Sequence, residues 1–172
     1  SGQKCSACSR VIAVRGVHDE LVERLVAAAA ELRVGDPVEP GTALGPLVGQ
    51  EAAVKAGGYI RQATQDGAPA FSGRTPDSDG YYVAPHIFTG VDRHSPLAQE
   101  EIFGPVLAVM AARDLKEALS MALDVPYGLT GGVYSRLPSH LALAEREFRV
   151  GNLYLNRPIT GALVGRQPFG GA

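Results

Sequence analysis

From residue 105 to residue 155, short apolar runs alternate with amphipathic stretches, and this alternation restricts the fold more than any other feature of the chain. Residues 105–111 are almost all apolar and 114–123 show helical periodicity; 130–134 read as a strand, 139–148 as a helix capped by Ser139 or Ser135, and 151–155 as a further strand. Strands joined by a helix lie parallel, because the crossover must return along the sheet before the next strand can pair. The spacing predicts an α/β fold, a mainly parallel sheet flanked by helices.

The first hundred residues fit the same plan. A strand is expected at 11–14 and a helix at 17–32, with Leu21, Leu25, Ala28 and Leu32 on its apolar stripe. Three prolines and three glycines make 34–46 a loop, and a helix at 50–66 is expected to be interrupted at Gly57-Gly58. Two short strands, 68–71 and 81–84, are expected around the polar turn 74–80, with Pro85 closing the second.

A length of 172 residues with 45% hydrophobic content supplies one packed core, so a single domain is expected. The net charge is −2 with no basic stripe, which argues against nucleic acid as a partner. No apolar run approaches the roughly 20 residues of a membrane helix, and the start lacks the layout of a signal peptide. The chain therefore reads as soluble and unexported. Its two cysteines, Cys5 and Cys8, are too few for a disulfide framework and fit a reducing compartment. It opens at Ser1 without methionine and stops at Gly170-Gly171-Ala172, and so reads as a piece of a longer polypeptide.

Several segments could carry chemistry. Cys5 lies among small residues with Lys4 and Arg10 nearby, positive charge of the kind that favours a reactive thiolate; a buried apolar filler is the other reading. Cys5-x-x-Cys8 also fits a redox dithiol or half of a zinc site, but there is no second cysteine pair and the four histidines are scattered, so no metal is expected. Cys8 is expected in the core. In Gln99-Glu100-Glu101-Ile102-Phe103-Gly104-Pro105 one carboxylate could accept hydrogen bonds from vicinal ribose hydroxyls and the phenyl ring could pack on a flat heterocycle, unless the segment is only a solvated acidic turn. The glycine-punctuated 126–132 loop reads as structural, and the loop 156–171 offers backbone amides that could hold a carboxylate.

The order of five blocks resembles the aldehyde dehydrogenase family: Gly2-Gln3-Lys4-Cys5, Glu100-Glu101-Ile102-Phe103-Gly104-Pro105, Pro126-Tyr127-Gly128-Leu129, Gly151-Asn152-Leu153-Tyr154-Leu155-Asn156 and Pro168-Phe169-Gly170-Gly171. The residues around Cys5 and the run 159–165 are similar to the Δ1-pyrroline-5-carboxylate dehydrogenase branch. The resemblance implies oxidation of glutamate γ-semialdehyde to glutamate with NAD, NADP being the alternative. It implies Cys5 as the nucleophile, its backbone amide as part of the oxyanion hole, Glu101 on the nicotinamide ribose and Phe103 near the nicotinamide. It further implies that Ser6 and the amides of Gly161 and Ala162 anchor the substrate carboxylate, with Phe169 packing its aliphatic stem. The family places its cofactor domain and water-activating glutamate before the cysteine, and a subunit-contact arm at the C-terminus. The 172 residues are thus expected to be one truncated catalytic domain, inactive alone, of a parent that is a homo-oligomer in the bacterial cytoplasm or, alternatively, the mitochondrial matrix. Another aldehyde dehydrogenase specificity and a non-catalytic scaffold are the competing readings.

Overall fold

The computed structural model describes residues 2–67, 69–163 and 165–171. Strands β1 (Arg10–Val14), β2 (Phe71–Ser72), β3 (His86–Thr89) and β4 (Val106–Ala112) form one sheet in the order β1-β4-β3-β2. β4 is parallel to both neighbours, with Arg10 opposite Ala108 and His86 opposite Val106, whereas β2 runs antiparallel to β3. β5 (Thr130–Val133) and β6 (Asn152–Leu155) pair in parallel as a separate two-stranded sheet. The mainly parallel α/β architecture matches the expectation, although the strands divide into two sheets.

Alternation along β3 and β4 sends successive side chains to opposite faces. Phe88, Val106 and Ala108 pack against α2 (Gln50–Asp66), while Ile87 and Val109 pack against α1 (Arg15–Ala30). Further along β4, Met110 and Ala112 meet Met121 of α4 (Leu115–Leu123). α4 also contributes Leu119 to a small cluster with Val133 and with Ala144 of α5 (Pro138–Glu147), which links the two sheets. α4 starts cleanly: Asp114 accepts the Glu117 N–H at 2.9 Å, and the Glu117 carboxylate accepts the Arg113 N–H at 2.6 Å.

Several local expectations change. α2 is unbroken at Gly57-Gly58, because burial of Ala56 and Ala63 with Tyr59 and Ile60 against the sheet outweighs the roughly 1 kcal/mol that each helical glycine costs. α1 turns Val22, Leu25, Val26 and Ala29 inward, leaving Ala28 and Leu32 exposed. Residues 81–84 form no strand. Pro85 leads into β3 instead of closing a strand: its carbonyl accepts the Gly73 N–H at 2.8 Å, and the His86 N–H reaches the Pro105 carbonyl at 2.9 Å. Of the expected strand 68–71 only Phe71 is paired; Ala68 lies outside the described residues. Neither serine caps α5, whose N-cap residue is Leu137, with Pro138 in the first turn. A one-turn helix α3 (Pro96–Gln99), not anticipated, leads into the acidic loop.

Candidate active site

Parallel pairing of β1 with β4 puts the loops that precede them at the same end of the sheet. The loop before β1 carries Cys5, and the loop before β4 carries Glu101 and Phe103. Ala7 donates its N–H to the Lys4 carbonyl at 2.8 Å, closing a turn that leaves Cys5 exposed and Ser6 buried at 5% exposure. Ser9 then accepts the Ala108 N–H at 3.0 Å as the chain enters β1. The turn is held from its other side as well. Gln3 accepts the Val48 N–H at 2.8 Å, and Gly2, at φ +77°, lies so close to Gly104 that a Cβ there would stand 2.3 Å from the Gly104 carbonyl oxygen. Gly2 is therefore glycine for two reasons, a left-handed backbone and a close approach that joins the cysteine turn to the acidic loop.

The acidic loop is fixed from α2. Lys55 donates to the Glu101 carbonyl at 2.6 Å, and Gly104 sits against Ala56. The two adjacent carboxylates differ. Glu100 accepts the Tyr59 hydroxyl proton, and that hydrogen bond, with desolvation behind it, pushes the Tyr59 pKa up to about 12. The Glu101 carboxylate is exposed and makes no hydrogen bond or ion pair among the described residues, so it is the one available to a ligand hydroxyl. Phe103 is 38% exposed at φ +58°, a conformation that costs a bulky side chain about 1–2 kcal/mol and is characteristic of functional turns.

Arg10 does not serve Cys5. Its guanidinium donates to the Met121 and Ala122 carbonyls at 3.3 and 3.0 Å, at the C-terminal end of α4. From the other side Gln99 donates to the Arg93 and Asp124 carbonyls, both at 2.7 Å, and Arg93 pairs with the Asp124 carboxylate at 2.6 Å. The end of α4 thereby braces both the strand behind Cys5 and the loop bearing Glu101. Cys8, expected in the core, is exposed as a residue; its thiol donates to the Arg10 carbonyl at 3.4 Å. Desolvation is the largest influence on this thiol and pushes it up, while the Arg10 charge acts in the lowering direction. Both cysteines are free thiols, and no group of three or more metal-ligating side chains occurs among the described residues.

The proposed carboxylate seat belongs to the second sheet. Gly161 and Ala162 are half-buried in the turn after β6, and Phe169 is 46% exposed. The loop folds back on the small sheet: Asn152 donates to the Pro168 carbonyl at 3.2 Å, and Gly151 passes beneath the Gly170 carbonyl. The 126–129 loop is structural, with the Gly128 and Leu129 carbonyls accepting the N–H groups of Gly151 and Asn152 at 2.9 Å. Within the motif run 159–165, Val164 lies outside the described residues. No hydrogen bond among the described residues joins the Cys5 turn to residues 156–171. Sequence reading missed the Gly2–Gly104 approach, the Lys55 contact and the placement of Arg157 against Gly161. None of these had a signal beyond residue type: the first two join distant segments through space, and the third depends on how the turn after β6 folds back on itself.

Residues 1–172 match the aldehyde dehydrogenase family. The chain is 49% identical over 171 residues to a 1-pyrroline-5-carboxylate dehydrogenase of Geobacillus thermodenitrificans, covering 99% of this chain and 33% of that protein. The corresponding protein of Bacillus subtilis is 46% identical over the same span. A Thermus 1-pyrroline-5-carboxylate dehydrogenase solved with bound NAD superposes with a TM-score of 0.93 at 51% identity, over 99% of this chain and 33% of its own. Betaine aldehyde dehydrogenase from Staphylococcus aureus in complex with NAD+ superposes at 0.92 and 28% identity, over 99% of this chain and 35% of its own. The chain thus spans about a third of the length of the curated relatives it matches. None of the described helices is long and apolar enough to cross a membrane.

Proposed function

The chain belongs to the aldehyde dehydrogenase family, and from that premise we propose that it is the nucleophile-bearing part of an NAD-dependent dehydrogenase oxidising glutamate γ-semialdehyde to glutamate. The observation that carries this reading is the seating of Gly2 on Gly104, which sets the exposed Cys5 turn beside the loop of Glu101 and Phe103. A nucleophile and a cofactor-facing surface must be neighbours if a hydride is to leave the carbon that the sulfur has attacked.

In this reading the Cys5 sulfur adds to the aldehyde carbon and the carbonyl oxygen takes a proton, giving a thiohemiacetal, with the Cys5 amide donating to the developing oxyanion. NAD, when bound, supplies the hydride acceptor. The Glu101 carboxylate would accept from the vicinal hydroxyls of its ribose, and the Phe103 ring would pack near its nicotinamide. The exposed, unpartnered carboxylate and the exposed ring both fit that group, and the NAD bound to the Thermus and Staphylococcus proteins supports it. Hydrolysis of the resulting thioester returns the Cys5 thiol and releases the acid. Ser6 with the Gly161 and Ala162 amides would hold the substrate carboxylate and Phe169 its stem. We place the whole enzyme, a homo-oligomer, in the bacterial cytoplasm, in line with its bacterial relatives.

The test is NAD-linked glutamate production from Δ1-pyrroline-5-carboxylate by the longest natural polypeptide carrying this sequence, beside its Cys5→Ala variant and the 172-residue chain alone. Loss on the order of 10³-fold or more in the variant is expected for removal of a covalent nucleophile, and the isolated chain should turn over negligibly. Activity indifferent to Cys5 would remove the mechanism. Activity on other aldehydes only would keep Cys5 chemistry and reassign the substrate, as the superposition on betaine aldehyde dehydrogenase at 28% identity allows.

A further inference from the structure

The turn proposed to hold the substrate carboxylate has a charged neighbour. Asn156, at φ +53°, turns the chain out of β6 and is locked to Ser135 by two 2.9 Å hydrogen bonds, its amide oxygen accepting the Ser135 N–H and its amide nitrogen donating to the Ser135 carbonyl. The next side chain, Arg157, lies over the Tyr154 ring with its guanidinium carbon 5.5 Å from the ring centroid. It also reaches Gly161: a Cβ on that glycine would stand 2.6 Å from Nη2 of Arg157 and 3.7 Å from the Tyr154 ring edge. Any side chain at 161 would displace the guanidinium from the turn. Arg157 forms no ion pair among the described residues, so its charge is not spent on a protein carboxylate. Tyr154 is 5% exposed, and its hydroxyl is buried with no partner among the described residues.

These groups share one chemistry. A guanidinium, turn amides and a phenolic hydroxyl can all donate to an anion, and the two side chains offered to the turn include no carboxylate that would repel one. The planar guanidinium is pre-set by stacking on Tyr154, which reduces the entropy lost when it meets a ligand charge. We infer that Arg157 is a specificity-determining residue that selects aldehydes bearing a carboxylate at the end remote from the carbonyl, and that position 161 is glycine so the guanidinium can approach the turn. The inference rests on the assignment of this turn as the carboxylate seat. It concerns the class of substrate, an ω-aldehyde acid, and Arg157 acts on the charged end and not on the reacting carbon.

The experiment compares the longest natural polypeptide carrying this sequence with its Arg157→Met, Arg157→Lys and Gly161→Ala variants, using glutamate γ-semialdehyde and the uncharged pentanal. In Arg157→Met, KM for the semialdehyde should rise roughly tenfold or more with kcat little changed, as for loss of a charge-assisted contact made equally in ground and transition states. Pentanal kinetics should stay the same, Gly161→Ala should follow Arg157→Met, and Arg157→Lys should recover part of the loss. Equal losses on both substrates would reduce Arg157 to a structural strut, and no change on either would overturn the inference. If the wild type prefers a different aldehyde, the proposed substrate fails while the ratio of succinic semialdehyde to butanal turnover still reads Arg157. A readout without turnover is the rise in Tm produced by glutamate, expected for wild type and lost in Arg157→Met; equal rises in both would overturn the inference.

Discussion

The Cys5 turn runs into β1, a strand laid along β4, whose Val109 is fully buried between the sheet and α1. The Gly161 turn instead leaves β6, half of a two-stranded sheet whose strands bury little beyond Val133 and Tyr154. One half of the site is thus carried by a sheet covered on both faces. The other is held by a few side-chain contacts: the paired bonds of Asn156 to Ser135, Asn152 to Pro168, and Arg157 on Tyr154. A two-stranded ribbon is marginal alone, so its geometry depends on side-chain hydrogen bonds and on α4 and α5 behind it. The contrast suits the proposed chemistry, in which the reacting atoms demand fixed geometry and the remote carboxylate tolerates more play.

The largest expected effect strikes the stiff half. Gly2→Ala introduces a Cβ 2.3 Å from the Gly104 carbonyl oxygen at a positive φ, so the Cys5 turn or the Glu101 loop must move. A displacement of about 1 Å at reacting groups lowers kcat/KM on the order of 10²-fold, and steady-state kinetics on glutamate γ-semialdehyde should show it; an unchanged rate would break the link between the two loops. A comparison of cores comes next. Val109→Ala should destabilise by about 2–3 kcal/mol and Val133→Ala by about 1 kcal/mol, since cavity cost grows with how fully a site is enclosed. Urea unfolding measures both, and equal values would dissolve the distinction between the two sheets.

The smallest effect sharpens the account of the loosely held half. Asn156→Ala removes both bonds to Ser135 and leaves a left-handed backbone without a residue suited to it, for a loss of about 1–2 kcal/mol. Asn156→Gly should recover the backbone part alone. Hydrogen exchange should show faster opening confined to residues 133–135 and 155–163, with protection in β1 and β4 unchanged. Exchange that also rises in β4 would mean that the two sheets unfold as one unit.

Much of the outline was legible in order and period. The strand–helix alternation after residue 105 gave β4, α4, β5, α5 and β6, because an apolar run and an amphipathic period are local properties. Cys5 and Phe103 could be singled out by type and neighbours, Glu101 and Phe169 only through the family resemblance, and all four are exposed. The failures were choices between near-equal options. α1 carries two apolar stripes, and packing on Ile87 and Val109 selected Val22, Leu25, Val26 and Ala29. Pro85 could end one strand or lead into the next, and the hydrogen bond from His86 to Pro105 decided for the second.

By itself, then, the sequence determined the α/β class, the succession of elements and the residue types able to do chemistry, since these depend on neighbours within a few positions along the chain. Only the tertiary structure decided that the cysteine and acidic loops meet, that Glu101 and not Glu100 is left available, that Arg10 braces α4 while Arg157 faces Gly161, and that the strands divide into two sheets. Each of these is a contact between distant segments, a choice among equivalent partners or, for Arg157 and Gly161, the way one turn folds on itself. Such contacts are fixed by which surfaces pack together, and no local pattern encodes that.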